Sequence, residues 1–239
     1  MFHEAVFLFA VLGSIHSING GSVPVTKCTA SDSDCIKKSA QTLLPLLAEG
    51  KVSAELKSLD PLIIEKIDAT QQNLHLIAHG VTVKGLKECT IDSISRDAAK
   101  SKMNVNVLCT VVVEGEYEIK GKVLVLKLDG HGHLIVSLKK ILITVDVDME
   151  EIEKSGKKYW NVKNWDSSYI IKEKANIELT NLFNGSEELT QAIRDLLGAS
   201  ANEIVTELGP PIVKAITTEV VNTVNGFFHL TPIEELALD

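Results

Sequence analysis

The sequence predicts an α+β fold in which a long, curved antiparallel sheet wraps around a long C-terminal helix and encloses an apolar lumen. Three observations carry this prediction. From Met103 to Val147 apolar and polar residues alternate in strand after strand. Met103, Val105, Val107, Cys109, Val111 and Val113 share one parity and Asn104, Asn106, Thr110 and Glu114 the other, the period of a half-buried strand. From about Ala199 to Phe228, Ile204, Leu208, Ile212, Ile216, Val220 and Val224 recur every four positions, so a broad helical face is buried. At ~1.5 Å per residue that helix is roughly 45 Å long, and long strands punctuated by glycines fit against it if the sheet bends around it.

In chain order, Ala5 to Val11 is an apolar run too short to span a bilayer, with small residues near Ser17 and Gly20. It reads as a secretory signal peptide over residues 1–20, cleaved near 17–20, the alternative being a buried N-terminal strand. Cys28 and Cys35 stand just before a helix signal, and in an oxidising compartment a disulfide between them would tie the N-terminus to that helix. Asp32 or Ser33 can cap the helix, Leu43, Leu44, Leu46 and Leu47 supply its apolar face, and Gly50 suits the position past its end. Pro45 stands where it can kink it. Pro61 fixes its own φ and biases Asp60 away from helix, so Leu59-Asp60-Pro61-Leu62 enters the sheet extended.

Strands follow from about Leu74 to Asp148 and from about Trp165 to Leu182, punctuated by Gly80, Gly85, Gly115, Gly121 and a Gly130-His131-Gly132-His133 turn. Arg96 to Ser101 is a polar break between two strand-like runs. A hairpin there sets Cys89 and Cys109, equidistant from residue 99, opposite each other. A disulfide forms if the register holds, and two buried thiols remain if it slips by one residue. Ile135 to Val147 repeats the alternation, most clearly at Ile141, Ile143, Val145 and Val147. Asn184 with Glu187 matches a capping box, and Asn184-Gly185-Ser186 is also the only glycosylation acceptor sequence. Pro210-Pro211 should bend the last helix.

With 239 residues and 45% hydrophobic content the chain can bury a large core. The net charge of −8 becomes −7 on loss of Glu4, the only charged residue in the predicted leader. That sign argues against nucleic acid or an anionic membrane surface as partner, and 5% aromatics without a basic cluster argues against stacking platforms. No later apolar run reaches ~18 residues, so stable membrane insertion is not expected. His131 and His133 would need further metal ligands that the sequence does not place. The acidic run Asp146, Asp148, Glu150, Glu151 and Glu153 lacks the glycine-centred spacing of a calcium loop and reads as a solvated edge. With no nucleophile elbow, zinc-protease helix, phosphate loop or dinucleotide fingerprint, neither an enzyme nor a cofactor is expected.

Several stretches then combine. The paired N-terminal cysteines, Leu59-Asp60-Pro61-Leu62, Glu114-Gly115-Glu116-Tyr117-Glu118-Ile119-Lys120-Gly121-Lys122-Val123-Leu124, Gly130-His131-Gly132, and Asn181-Leu182-Phe183-Asn184-Gly185 ahead of the long helix resemble the insect Takeout and haemolymph juvenile hormone-binding proteins in order and spacing. Lys127 departs from that pattern where a proline is expected, and the pair Cys89 and Cys109 is not the family's usual second bridge. The resemblance covers nearly the whole mature chain, so residues 21–239 read as one domain. It implies the tubular lipid-binding (TULIP-like) fold shared with lipid transfer proteins. It also implies a secreted, extracellular carrier whose tunnel takes a small hydrophobic ligand: a juvenile hormone-like terpenoid, a fatty acid or a related lipid.

The residues expected to line the lumen are Val105, Val107, Val111, Val113, Tyr117, Ile212, Ile216 and Val220. The Tyr117 phenol either hydrogen-bonds a ligand's one polar group or simply packs. The alternative function is an extracellular interaction or signalling protein in circadian, feeding or chemosensory regulation, with a vestigial tunnel and an unknown receptor or carrier partner.

Overall fold

The computed structural model describes residues 25–71, 73–123, 126–182, 194–195 and 197–239. The predicted leader, Asn184 and its capping box lie outside the described residues. Helix α1 (Ser33–Ala48) starts at the cap Asp32, whose carboxylate accepts the Cys35 N–H at 3.0 Å. Pro45 sits inside it, and Gly50, just beyond its end, takes φ +68°, a conformation suited to glycine. The Asp60–Pro61 peptide is cis, and β1 (Leu62–Asp68) follows at once.

Next come β2 (Leu74–Lys84), a 3-10 turn (Leu86–Glu88), β3 (Thr90–Asp97), β4 (Lys102–Val123), β5 (Leu126–Lys154), β6 (Lys157–Ile171) and β7 (Asn176–Leu179). Helices α2 (Ala201–Leu230) and α3 (Ile233–Leu236) end the chain. Among the described residues the strands form one seven-stranded antiparallel sheet centred on the β4–β5 hairpin. β3 and β2 pair with successive halves of β4, β7 and β6 with successive parts of β5, and β1 extends β2. No helix among these residues is long and apolar enough to cross a membrane.

At ~3.3 Å per residue, β5 with its 29 residues would run about 95 Å if straight, twice the ~45 Å of α2. The strand therefore coils round the helix. The register shows one place where it bends. Pairing passes from Cys109↔Ile141 to Val111↔Leu138, leaving Thr110 opposite Lys139 and Lys140, with Lys140 at φ +51°. This bulge flips the parity of β5. Leu134, Val136 and Leu138 face the interior before it, and Ile141, Ile143, Val145 and Val147 after it. The unbroken alternation expected from Ile135 is thus corrected, because Ile135 lies on the outer face.

Two further expectations are corrected. Gly130 to His133 is not a turn: it lies within β5, with Gly132 opposite Tyr117 and His133 opposite Glu116. A Cβ at Gly132 would come 2.6 Å from the Thr180 carbonyl oxygen, so glycine serves the close approach of that segment and not a reversal. The acidic run is an edge only in its second part, where Glu150, Glu151 and Glu153 pair with β6 alone. As far as Asp148 it lies on β5 between β4 and β6, where Asn104 donates to Asp146 at 2.7 Å and Lys102 pairs with Asp148 at 3.0 Å.

Helix α2 continues through Pro210 and Pro211. Each proline removes the N–H that would bond the carbonyl four residues earlier, which concerns Thr206 and Glu207. The sheet side supplies substitutes: Gln71 Nε2 donates to the Glu207 carbonyl at 3.0 Å, and the Tyr169 hydroxyl lies 2.7 Å from the Val205 carbonyl and 3.5 Å from that of Thr206. Gly209 makes room for this phenol, since a Cβ there would meet its oxygen at 2.4 Å.

Candidate functional site

Between the concave sheet and α2 lie two cavities in series. The first, of about 130 Å³, is bounded by β2, β4, β5, β7 and the N-terminal half of α2, with Val113, Leu138, Ile177 and Leu208 in its wall. The second, of about 300 Å³, lies between α1, β3, β6, the remaining parts of β4 and β5 and the C-terminal half of α2, with Leu43, Val145, Trp160 and Phe228 in its wall. Leu86, Ile143, Ile216 and Thr217 line both and form the waist where the two meet. Each volume is many times the ~10–15 Å³ that holds one water.

The expected lining residues are distributed along this lumen. Val111, Val113, Tyr117 and Ile212 line the first cavity, Val105, Val107 and Val220 the second, and Ile216 both. The parity read from Met103 to Val113 extends through Tyr117 to Ile119, because β4 shows no parity change where β5 does. Tyr117 is 1% exposed and its hydroxyl donates to the Thr180 carbonyl at 2.8 Å. Burial pushes its pKa up to about 12, so the phenol is neutral. Its ring faces the cavity while its hydroxyl is committed to the backbone.

Both cysteine pairs are bridged. Cys28–Cys35 has a Cα separation of 5.8 Å and Cys89–Cys109 one of 4.4 Å. Thr90↔Leu108 and Ile91↔Val107 are register partners, so the next step outward sets Cys89 opposite Cys109, and the reading as two buried thiols is removed. Cys28, Cys89 and Cys109 all border the second cavity.

The sequence profile of the haemolymph juvenile hormone binding proteins matches residues 6–238. The chain belongs to this family. It is similar to the circadian clock-controlled protein daywake of Drosophila melanogaster, 22% identical over 237 residues that span 92% of this chain and 90% of the relative. It is also similar to the juvenile hormone-binding protein of Manduca sexta, 28% identical over 96 residues, 36% of this chain and 42% of that one. Its structure is similar to the crystal structure of Epiphyas postvittana Takeout 1, with a TM-score of 0.86, 27% identity, and coverage of 90% of this chain and 100% of the other. The fold is accordingly the tubular one of Takeout, a curved antiparallel sheet with a long C-terminal helix.

In this member of the haemolymph juvenile hormone-binding protein family the far end of the second cavity is closed by residues that sequence reasoning missed. Cys28 N–H donates to the Leu236 carbonyl at 3.4 Å and Leu238 N–H to the Cys28 carbonyl at 3.2 Å. The Asp239 carboxylate accepts the Ala30 N–H at 3.0 Å and pairs with the Arg96 guanidinium. Arg96 also lies over the Trp160 ring, 5.2 Å from its centroid, and Trp160 meets Phe228 edge-on at 5.5 Å. The Ala30 N–H, and after it Arg96, hold the Asp239 carboxyl below its ordinary pKa. Periodicity cannot reveal such a closure, because its partners are 143 residues apart.

Proposed function

We propose that the protein is a secreted carrier that takes up a small hydrophobic ligand, a juvenile hormone-like terpenoid, fatty acid or related lipid, into this lumen. The observation that carries the reading is the pair of contiguous cavities, walled almost wholly by aliphatic and aromatic side chains. At ~25 cal/mol per Å², burying about 300 Å² of ligand surface gains roughly 7–8 kcal/mol before the costs of association. Affinity therefore needs few polar contacts. Export through a leader over residues 1–20 fits two disulfides, which persist in oxidising compartments, and a glycan on Asn184 belongs to the same reading. The apolar walls suit a protein that acts by binding. The similarity to daywake, whose name states clock control, favours as second reading a signalling protein with a vestigial tunnel.

The test is chemical. An organic extract of the protein purified from native secretion should contain an apolar ligand by mass spectrometry, and the delipidated protein should take up a fluorescent fatty acid. An empty extract together with no uptake overturns the carrier reading and leaves the signalling one.

A further inference from the structure

Thr217 stands on α2 at the waist, lines both cavities and is 5% exposed. A threonine inside a helix commonly returns its hydroxyl to the carbonyl four residues earlier. Thr206 does so to Asn202 and Thr218 to Lys214, both at 2.7 Å. The Thr217 hydroxyl makes no such bond and has no partner among the described residues. Among the described residues no sealed side-chain oxygen or nitrogen lacks a partner, so the Thr217 oxygen keeps some open surface, and the residue borders the lumen. The other buried polar groups of the lining are occupied: Tyr117 by the Thr180 carbonyl and Arg96 by Asp239.

Resting on the carrier reading, we propose that the Thr217 hydroxyl positions the cargo by donating a hydrogen bond to a neutral oxygen in the cargo's interior, with one apolar arm in each cavity. The ligand class follows from place and charge. A polar atom held at the waist has apolar space on both sides, so it belongs inside the molecule and not at its end. The other waist residues, Leu86, Ile143 and Ile216, are aliphatic, so an ionised carboxylate there would be buried without a counter-charge. A long molecule with an internal ketone, ester or ether oxygen satisfies both conditions.

The test uses the delipidated full chain loaded with a fluorescent fatty acid. Three competitors displace it: a symmetrical long-chain ketone, the alkane of equal length, and the isomeric ketone with its carbonyl near one end. The symmetrical ketone should compete best. Thr217→Val keeps the shape and removes the hydroxyl; it should weaken the symmetrical ketone roughly 2- to 10-fold, the size of one net hydrogen bond, and leave the alkane unchanged. Thr217→Ser should retain the preference. The unliganded Thr217→Val protein should melt at or above the wild-type temperature, because a buried hydroxyl without a partner is removed. A ketone affinity untouched by Thr217→Val, or lost in equal measure with that of the alkane, overturns the anchor. Equal binding of the two ketones overturns its internal placement. A wild-type chain that takes up the fatty acid without preferring ketone to alkane overturns the anchor alone, whereas one that takes up nothing overturns the carrier reading and the anchor with it.

Discussion

The two cavities share one helix but are walled by different kinds of structure. The first is enclosed by the middle of the sheet, where β2, β4, β5 and β7 are laddered to one another. Its width is set by main-chain hydrogen bonds. The second is larger and partly aromatic, and it is covered by α1, by the Cys28–Cys35 loop and by the tail that follows α2. Its cover is held by one covalent bridge, a few tail hydrogen bonds, an ion pair and the side-chain bonds of Lys37 and Gln41 on α1 to the backbone at and beside β3. A wall that can part without breaking a β-ladder opens at lower cost, so cargo should enter and leave through the second cavity and be held more rigidly where it reaches into the first.

The largest expected effect breaks both cavities one at a time. Val111 borders the first and Val107 the second, and an aspartate at either site puts an unpaired charge into apolar surroundings, a cost of several kcal/mol. Val107→Asp and Val111→Asp should each abolish uptake of a long fluorescent fatty acid. A short fatty acid that needs only one cavity should separate them, with binding kept by the variant whose damage lies in the other cavity. Val107→Asn and Val111→Asn carry the same test if the aspartates do not fold. Normal uptake by folded variants at both positions places the ligand elsewhere.

The bridges come next. Cys28–Cys35 closes a short loop, worth about 2–3 kcal/mol in the chain-entropy model, and it fastens the tail contacts at Cys28 over the second cavity. Cys89–Cys109 closes a longer loop, but β3 and β4 already hold it in register, which limits its added constraint. Cys28→Ser should therefore lower the melting temperature and speed ligand escape more than Cys109→Ser does. Calorimetry with stopped-flow dissociation decides, and the opposite ranking would move the exit away from the chain ends.

The contrast also explains what could be read from the sequence. The inner face of β4 was legible because a ladder strand repeats every two residues, and the stripe on α2 because a helix repeats at 3.6. The hairpin at Arg96 to Ser101 followed from the same regularity, whereas the Cys89–Cys109 pair is in register only because one residue bulges out between Ile91 and Ser93. Legibility failed wherever register shifted or distant segments met. Lys139 and Lys140 carry no mark that one of them is an extra residue, so the parity change in β5 was invisible. Gly130 and Gly132 look like turn residues because glycine signals both reversal and close approach. Arg96 looked like a hairpin polar residue, and only the folded chain brings Asp239 to it. Thr217 is one polar residue in an apolar stripe, and its meaning lies in a hydrogen bond it does not make.

A smaller effect tests the first cavity's rigidity. Tyr117→Phe removes the donor to the Thr180 carbonyl and leaves the ring in the wall. Stability should fall by about 1 kcal/mol, the net value of one hydrogen bond, while affinity for polar-headed ligands stays the same. Thermal unfolding and a binding titration on the same preparation check both halves. An affinity loss without a stability loss would show that the hydroxyl serves the ligand and not the backbone.

The smallest effect concerns the closure of the second cavity. The Arg96 side chain is 11% exposed and that of Asp239 38%, so solvent screens the pair and its contribution stays below ~1 kcal/mol. Its sign is fixed by the depressed Asp239 pKa. A carboxylate held below its unfolded value of 3.8 adds stability above that pH and loses it as pH falls through the lower folded value. Wild-type protein should therefore show a small acid-side loss of melting temperature that Asp239→Asn lacks. At neutral pH Asp239→Asn should release ligand faster, because the Ala30 and Arg96 contacts both converge on this carboxylate, while equilibrium affinity changes little. If release is unchanged at neutral pH, the tail is a passive cover and the exit must be sought along α1.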